Sequence, residues 1–143
     1  MRALLDVNVL VALLDGGHLH HRPATAWLAA HQRAGWASCP LTQNGCIRVL
    51  SLTSYPNPQP PAAVAGRLAQ ALAGERHEFW PDALSLLEPH RLAWEHVLGS
   101  RQVTDAYLLA LAVHQEGRLV TFDRGISTAA VPGATKRHLV TLG

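Results

Sequence analysis

The chain opens on an apolar run, Ala3 to Leu14, that is broken only by Asp6 and Asn8. Such a run is too short to span a bilayer and too apolar to stand in solvent, so it belongs to a folded interior. A carboxylate inside it is costly to bury unless something pairs with it. Ala3 to Leu5 reads as a short buried strand and Val7 to Leu14 as helical structure after it, which sets Asp6 at their junction. A strand that passes directly into a helix is how a βαβ unit begins.

The rest of the chain repeats that alternation. Pro23 suits an early helix position, and Ala24, Trp27 and Leu28 carry a helix to about Gln32, where Gly35 ends it. Trp36 to Cys39 reads as a strand closed by Pro40, and Thr42 as the cap of a helix from Gln43 to Leu50, with Ile47 and Leu50 facing the core. The stretch "SLTSYPNPQPPAA" holds four prolines between Pro56 and Pro61 and reads as an irregular surface loop. A helix is expected over Ala62 to Ala73, a strand at "HEFW" stopped by Pro81, and helices over Pro89 to Val97 and Val103 to Gln115. "RLVTF" is a strand leading to Asp123, and "RHLVTL" is the last strand. No internal repeat interrupts this order. The pattern predicts an α/β fold, a single domain over residues 1–143, with a central, mainly parallel sheet flanked by helices.

At 48% apolar and 15% charged residues the composition is that of a folded soluble protein, not a disordered one. No basic segment with a cleavage site follows Met1, which argues against export. Cys39 and Cys46 fit a reduced, cytoplasmic protein better than a disulfide. The net charge of +2 is too mild to argue nucleic-acid binding by itself. Its distribution says more: from Gly16 to Gly74 there is no Asp or Glu, only Arg22, Arg33, Arg48 and Arg67. That window is either chance in a low-charge chain or an anion-binding surface. The surplus of apolar residues suggests a two-fold homodimer.

In an open α/β sheet, strand C-termini and helix N-termini share the edge where ligands bind. Asp6 ends the first strand, Asp123 follows the "LVTF" strand, and Asp105 is expected in the first turn of the Val103–Gln115 helix. Asp105 alone could serve the helix dipole, and Asp123 alone could start the "DRG" turn. Together, three carboxylates repel unless protonated or neutralised, and a hard divalent cation is the common solution. Oxygen-only ligation favours magnesium or manganese over zinc. The histidines of "HLHH" (His18, His20, His21) lack the spaced partners of a structural zinc site and suit helix-entry hydrogen bonding or substrate contact. Arg48, about a turn beyond Gln43, and Arg124, beside Asp123, could each meet a phosphate or simply face solvent. Trp27, Trp36, Trp80 and Trp94 read as core or dimer contacts before base-stacking platforms.

The stretches "LLDVNVLVALLD", "PLTQNGCIRVL", "TDAYLLALAV" and "RLVTFDRGI", in this order and spacing, resemble the PIN domain of VapC-type toxins of bacterial toxin–antitoxin pairs. The resemblance covers essentially the whole chain. It implies an endoribonuclease that cuts RNA, often transfer or ribosomal RNA, with magnesium or manganese. Asp6, Asp105 and Asp123 match the family's acidic positions, Asn8 a polar residue supporting the first, and Thr121 a hydroxyl near the last. The resemblance further implies a homodimer and a VapB-type antitoxin that occupies the active-site groove.

One family feature is missing. Many members carry T-x-x-E at the start of the second conserved helix, and the subgroup this chain most resembles carries L-T-E-N-G. Here the sequence reads "LTQNG", so Gln43 and Gly45 stand at the acid positions of the two patterns. Gln43 keeps the shape of Glu and offers a carbonyl oxygen, but brings no charge and cannot act as a base. Three readings stay open: a site that works with three carboxylates, a degenerate PIN-like module that binds RNA or antitoxin without cutting, or an engineered Glu→Gln change. "DVNVL" also resembles the start of a haloacid-dehalogenase-type phosphatase. That motif needs an acid where Asn8 stands and a suitably placed lysine, and the only lysine is Lys136.

Overall fold

Short strands that are buried along their whole length need cover on both faces. The computed structural model, which describes residues 1–143, meets that need with five strands and five helices. The strands are β1 (Ala3–Leu5), β2 (Trp36–Ser38), β3 (His77–Phe79), β4 (Arg118–Thr121) and β5 (Leu139–Thr141). They form one sheet in the order β3-β2-β1-β4-β5, and every pairing is parallel. The helices are α1 (Val7–Leu14), α2 (His21–His31), α3 (Pro40–Leu50), α4 (Pro61–Leu72) and α5 (Ser100–His114).

Alternation along the central strands divides the core into two layers. Leu4 and Leu119 pack into the layer that holds α5, whose run from Ala106 to Ala112 is buried throughout. Ala3, Leu5 and Val120 pack into the opposite layer with Val9 and Leu10 of α1, Cys46 and Leu50 of α3, and Val64 and Leu68 of α4. From β1 the chain moves outward to β2 and β3, then returns to the other side of β1 as β4 and β5. The order therefore reverses between β1 and β4, and the crevice at their C-terminal ends is where such folds bind ligands.

Several sequence-based expectations need correction. Pro40 does not close a strand from outside; it is an early residue of α3, and Cys39 is the cap. Thr42 is the third residue of that helix, and its hydroxyl accepts from the Cys39 backbone N–H at 3.0 Å in a capping box. Asp105 is not in a first turn, because α5 already begins at Ser100. The "RLVTF" strand ends at Thr121, which leaves Phe122 between it and Asp123. No α-helix forms over Pro89 to Val97, where only a short 3₁₀ turn, Trp94–His96, is present. His90 there has φ of 65°, and the Ala93 N–H donates to Ala130 O at 2.9 Å, so a tertiary bond takes a donor that a helix would use. Of the tryptophans, Trp36 and Trp80 are buried and Trp94 is exposed, while the Arg118 guanidinium lies over the Trp27 ring at 5.1 Å.

One close approach positions the site. A Cβ at Gly45 would stand 2.5 Å from Val7 Cγ2, so the absence of a side chain is what lets α3 rest on the first turn of α1.

Candidate active site

Asp6 is held by the turn from β1 into α1. Its backbone N–H donates to Val120 O at 2.9 Å, which ties it to β4, and its backbone then leaves the strand as the N-cap of α1. Its Oδ1 accepts from the N–H of Val7, the first of the free donors at the start of α1, at 2.7 Å. Its Oδ2 accepts from the Thr121 hydroxyl, also at 2.7 Å. The side chain is only 6% exposed, and these two donors are what make a carboxylate tolerable there. Burial pushes its pKa up, the bonds from Thr121 and Val7 oppose that, and the charge of Asp123 adds to the rise.

Thr121, fully buried at the end of β4, organises the rest. Its oxygen accepts from Asn8 Nδ2 at 3.2 Å and from the Asp123 N–H at 3.0 Å. Asn8 Oδ1 in turn accepts from the Phe122 N–H at 3.1 Å, so one Asn side chain on α1 fastens the segment that carries Asp123. Asp123 caps its own turn, accepting from Gly125 N–H at 2.7 Å.

Asp6, Asp105 and Asp123 line one cleft of about 340 Å³, together with Val7, Asn8, Val11, His18, Val49 and Tyr55. Asp105 reaches it from α5. Its pKa is pushed up to about 7 by burial first, then by the charges of Asp6 and Asp123 and by a hydrogen bond with the Asp123 side chain. No three His, Cys, Asp or Glu side chains stand disposed as a ready-made chelate. The donor chemistry nevertheless fits a hard divalent cation. Three side chains of the cleft are carboxylates, the oxygen donors such a cation prefers, and its charge would offset the repulsion that Asp6 and Asp123 add to the burial of Asp105.

Other predicted residues stand outside this lining. Gln43 turns its amide to Ser38, donating from Nε2 to Oγ at 3.0 Å, and Ser38 Oγ lies 2.8 Å from His77 Nε2. Thr42 is buried in the start of α3 and supports that helix instead of facing a ligand. Arg48 and Arg124 are exposed and take no part in the chain's ion pairs, Arg2–Glu78 and Arg91–Glu88. His18 belongs to "HLHH", for which the sequence offered helix-entry hydrogen bonding or substrate contact, and it lines the cleft. Tyr55 was missed: its only signal was a lone aromatic in the proline loop, whose hydroxyl the structure anchors to the Asp15 carboxylate.

A central parallel sheet with carboxylates gathered at its switch point defines a class, and comparison with known proteins agrees. The PIN domain model matches residues 3–132. Ribonuclease VapC44 of Mycobacterium tuberculosis is 52% identical over 142 residues, which cover 99% of this chain and 100% of that protein. Ribonuclease VapC29 of the same species is 42% identical over 127 residues, 89% of this chain and 90% of that one. Among solved structures, VapBC2 from Rickettsia felis bound to a promoter DNA fragment superposes with a TM-score of 0.64 at 13% identity, covering all of both chains. M. tuberculosis VapC20, described as a toxin that cleaves the sarcin–ricin loop, gives 0.57 at 16% identity over 81% of this chain and 85% of that one. At such low identities the structural matches speak for the fold alone. This chain belongs to the PIN-domain family, in its VapC branch.

Proposed function

We propose that the chain is a VapC-type toxin, an endoribonuclease that hydrolyses RNA phosphodiesters in the Asp6–Asp105–Asp123 cleft. The observation that carries this reading is the convergence of three carboxylates, from the junction of β1 with α1, from α5 and from the turn after β4, on one cleft. The names of the relatives, ribonucleases over nearly the full length, support it.

The three aspartates would hold magnesium or manganese, which when bound supplies positive charge for the phosphate and a water of lowered pKa. The remaining work falls to the chain itself. Thr121 and the Val7 N–H fix both oxygens of Asp6, so its carboxylate does not reorient on binding. Asn8 holds the backbone at Phe122 and thereby sets the distance between the β1 and β4 ends. Without a cation, burial and the neighbouring carboxylates push the Asp105 pKa up to about 7, so binding one there would release a proton near neutral pH. In the overall reaction water adds oxygen to phosphorus, one P–O bond to ribose breaks, and the leaving oxygen is protonated.

The setting of this activity is part of the proposal. A VapB-type antitoxin is the expected protein partner, supported by the structural neighbour being a VapBC complex. A homodimer acting on transfer or ribosomal RNA in the cytoplasm is the expected assembly, and no helix is long and apolar enough to cross a membrane. A second reading, a degenerate PIN module that binds RNA or antitoxin without cutting, is favoured by one observation: Gln43 stands at the family's acid position and its amide is engaged by Ser38. Purified chain incubated with single-stranded RNA decides between them. Cleavage with magnesium or manganese that stops in chelator, and that Asp6→Asn removes, supports the nuclease. RNA binding with no cleavage under any divalent ion supports the degenerate module.

A further inference from the structure

The cleft holds a ring donor that the three-aspartate reading leaves unused. His18 lies in the loop between α1 and α2 and lines the cleft with Asp6, Asp105 and Asp123. The backbone N–H of His20 donates to His18 Nδ1 at 3.0 Å. A ring nitrogen that accepts a hydrogen bond carries no proton, so the imidazole hydrogen is on Nε2. The fold thus selects the tautomer.

The ring is also braced. His18 packs against His20 with centroids 5.7 Å apart, and His20 stacks on Phe122 at 4.5 Å with only 18° between the planes. Phe122 is the residue whose N–H Asn8 holds, one position before Asp123. The loop itself is closed by His18 N–H donating to Asp15 O at 3.0 Å and Gly17 N–H donating to Asp15 Oδ1 at 3.0 Å. A loop histidine is therefore pinned, through two aromatic contacts, to the same segment that presents an acid to the cleft.

The other uncharged polar side chains of the lining each have partners within the fold. Both ends of the Asn8 amide are tied to Thr121 and Phe122, and the Tyr55 hydroxyl is tied to Asp15. The carboxylates are acceptors when ionised. The non-bridging oxygens of a phosphodiester are also acceptors, so a wall of aspartates alone offers them nothing.

Resting on the nuclease reading above, we propose that His18 is a substrate-contacting residue, donating Nε2–H to a non-bridging oxygen of the RNA phosphodiester held in this cleft. With Nδ1 occupied by the His20 N–H, the ring meets the phosphate through Nε2–H alone.

Two measurements test this. Nitrogen-15 NMR of the full chain without RNA should show His18 as the Nε2–H tautomer, and the Nδ1–H form would overturn the proposal. Steady-state cleavage of a short single-stranded RNA should then show His18→Ala lowering kcat/KM by about ten- to a hundredfold, the range expected for a bond to a charged acceptor. His18→Gln, which restores a donor near the Nε2 position but not the acceptor for His20, should recover most of that loss. A merely structural His18 predicts equal impairment in both variants. Unchanged kcat/KM in His18→Ala overturns the assignment, as does a loss that disappears when the cleaved linkage carries 2′-deoxyribose. If the wild-type chain cuts no RNA, the nuclease reading fails separately. The His18 contact is then decided by titrating the oligonucleotide into labelled protein: a shifted His18 Nε2 resonance upholds the contact, and an unmoved one overturns it.

Discussion

Gln43 donates from Nε2 to Ser38 Oγ at 3.0 Å, and Ser38 Oγ lies 2.8 Å from His77 Nε2 in a short relay. The Nδ1–H tautomer of His77 would accept the Ser38 hydroxyl hydrogen there. Burial and the charge of Arg2 already hold the His77 pKa low, against the opposing pull of Glu78, which suits a ring that accepts at Nε2.

Gln43→Glu reverses this relay, because a carboxylate can only accept. Ser38 then donates to Glu, His77 takes the Nε2–H form, and its pKa rises. The fold survives an isosteric change, and the added acid raises magnesium-dependent RNA cleavage and toxicity without antitoxin. Asp6→Asn on that background removes the gain. Equal cleavage by the two chains across a magnesium titration would falsify the catalytic half of this prediction and leave position 43 as a partner of Ser38 alone.

Thr121→Val deletes a fully buried hydroxyl that serves Asp6, Asn8 and Asp123 together. Leaving those groups unpartnered costs about 1–3 kcal/mol of stability. Cleavage should fall further than stability, since Asp6 loses the donor that orients it. Thr121→Ser keeps the hydroxyl and stays near wild type. Urea denaturation and initial rates on the three chains check this, and a Val variant as active as wild type contradicts it.

The metal-free protein should lose stability as pH rises. Unfolded Asp105 titrates near 3.8 and folded Asp105 near 7, so between those values the folded state binds more protons. Stability conferred by the protonated form is therefore present at low pH and lost as pH climbs toward 7 and above. Asp6, also shifted upward, acts in the same direction. Asp105→Asn should stabilise the chelated protein at pH 8 by about 1–2 kcal/mol after allowance for solvent screening of a half-exposed group. Melting curves from pH 5 to pH 8, with chelator and with magnesium, test the sign. A flat profile in chelator rules it out, and magnesium should flatten a sloping one.

Gly45→Ala forces a Cβ to 2.5 Å from Val7 Cγ2. Overpacking of this kind costs about 1–3 kcal/mol. Val7→Ala should relieve it, so the double variant is more stable than the two single losses sum to. Additive losses in a double-mutant cycle would show that the helices adjust independently.

The first unit was legible because its apolar run leaves only Asp6 and Asn8 to explain, and β1 and α1 form where that run places them. Asp6 and Asp123 could be placed at the strand ends, whereas Asp105 was expected in the first turn of a helix that in fact begins at Ser100. Pro89 to Val97 was not legible, because its fate turns on Ala93 bonding to Ala130, a contact with no local signature. The start of α3 misled because Thr occurs both as an N-cap and, as here, reaching back from the third helical position. His18 and Tyr55 come to the cleft on loops whose paths are set by Asp15 and by ring packing against Phe122, so residue type hinted at them and spacing could not.

The contact between Gly45 and Val7 also has a meaning for lineages of this fold. In this chain the Val7 side chain fills the space that a side chain at 45 would need, so an acid there requires Val7 to shrink or shift. At 43 an isosteric acid needs no new room, and every Gln codon lies one base from a Glu codon.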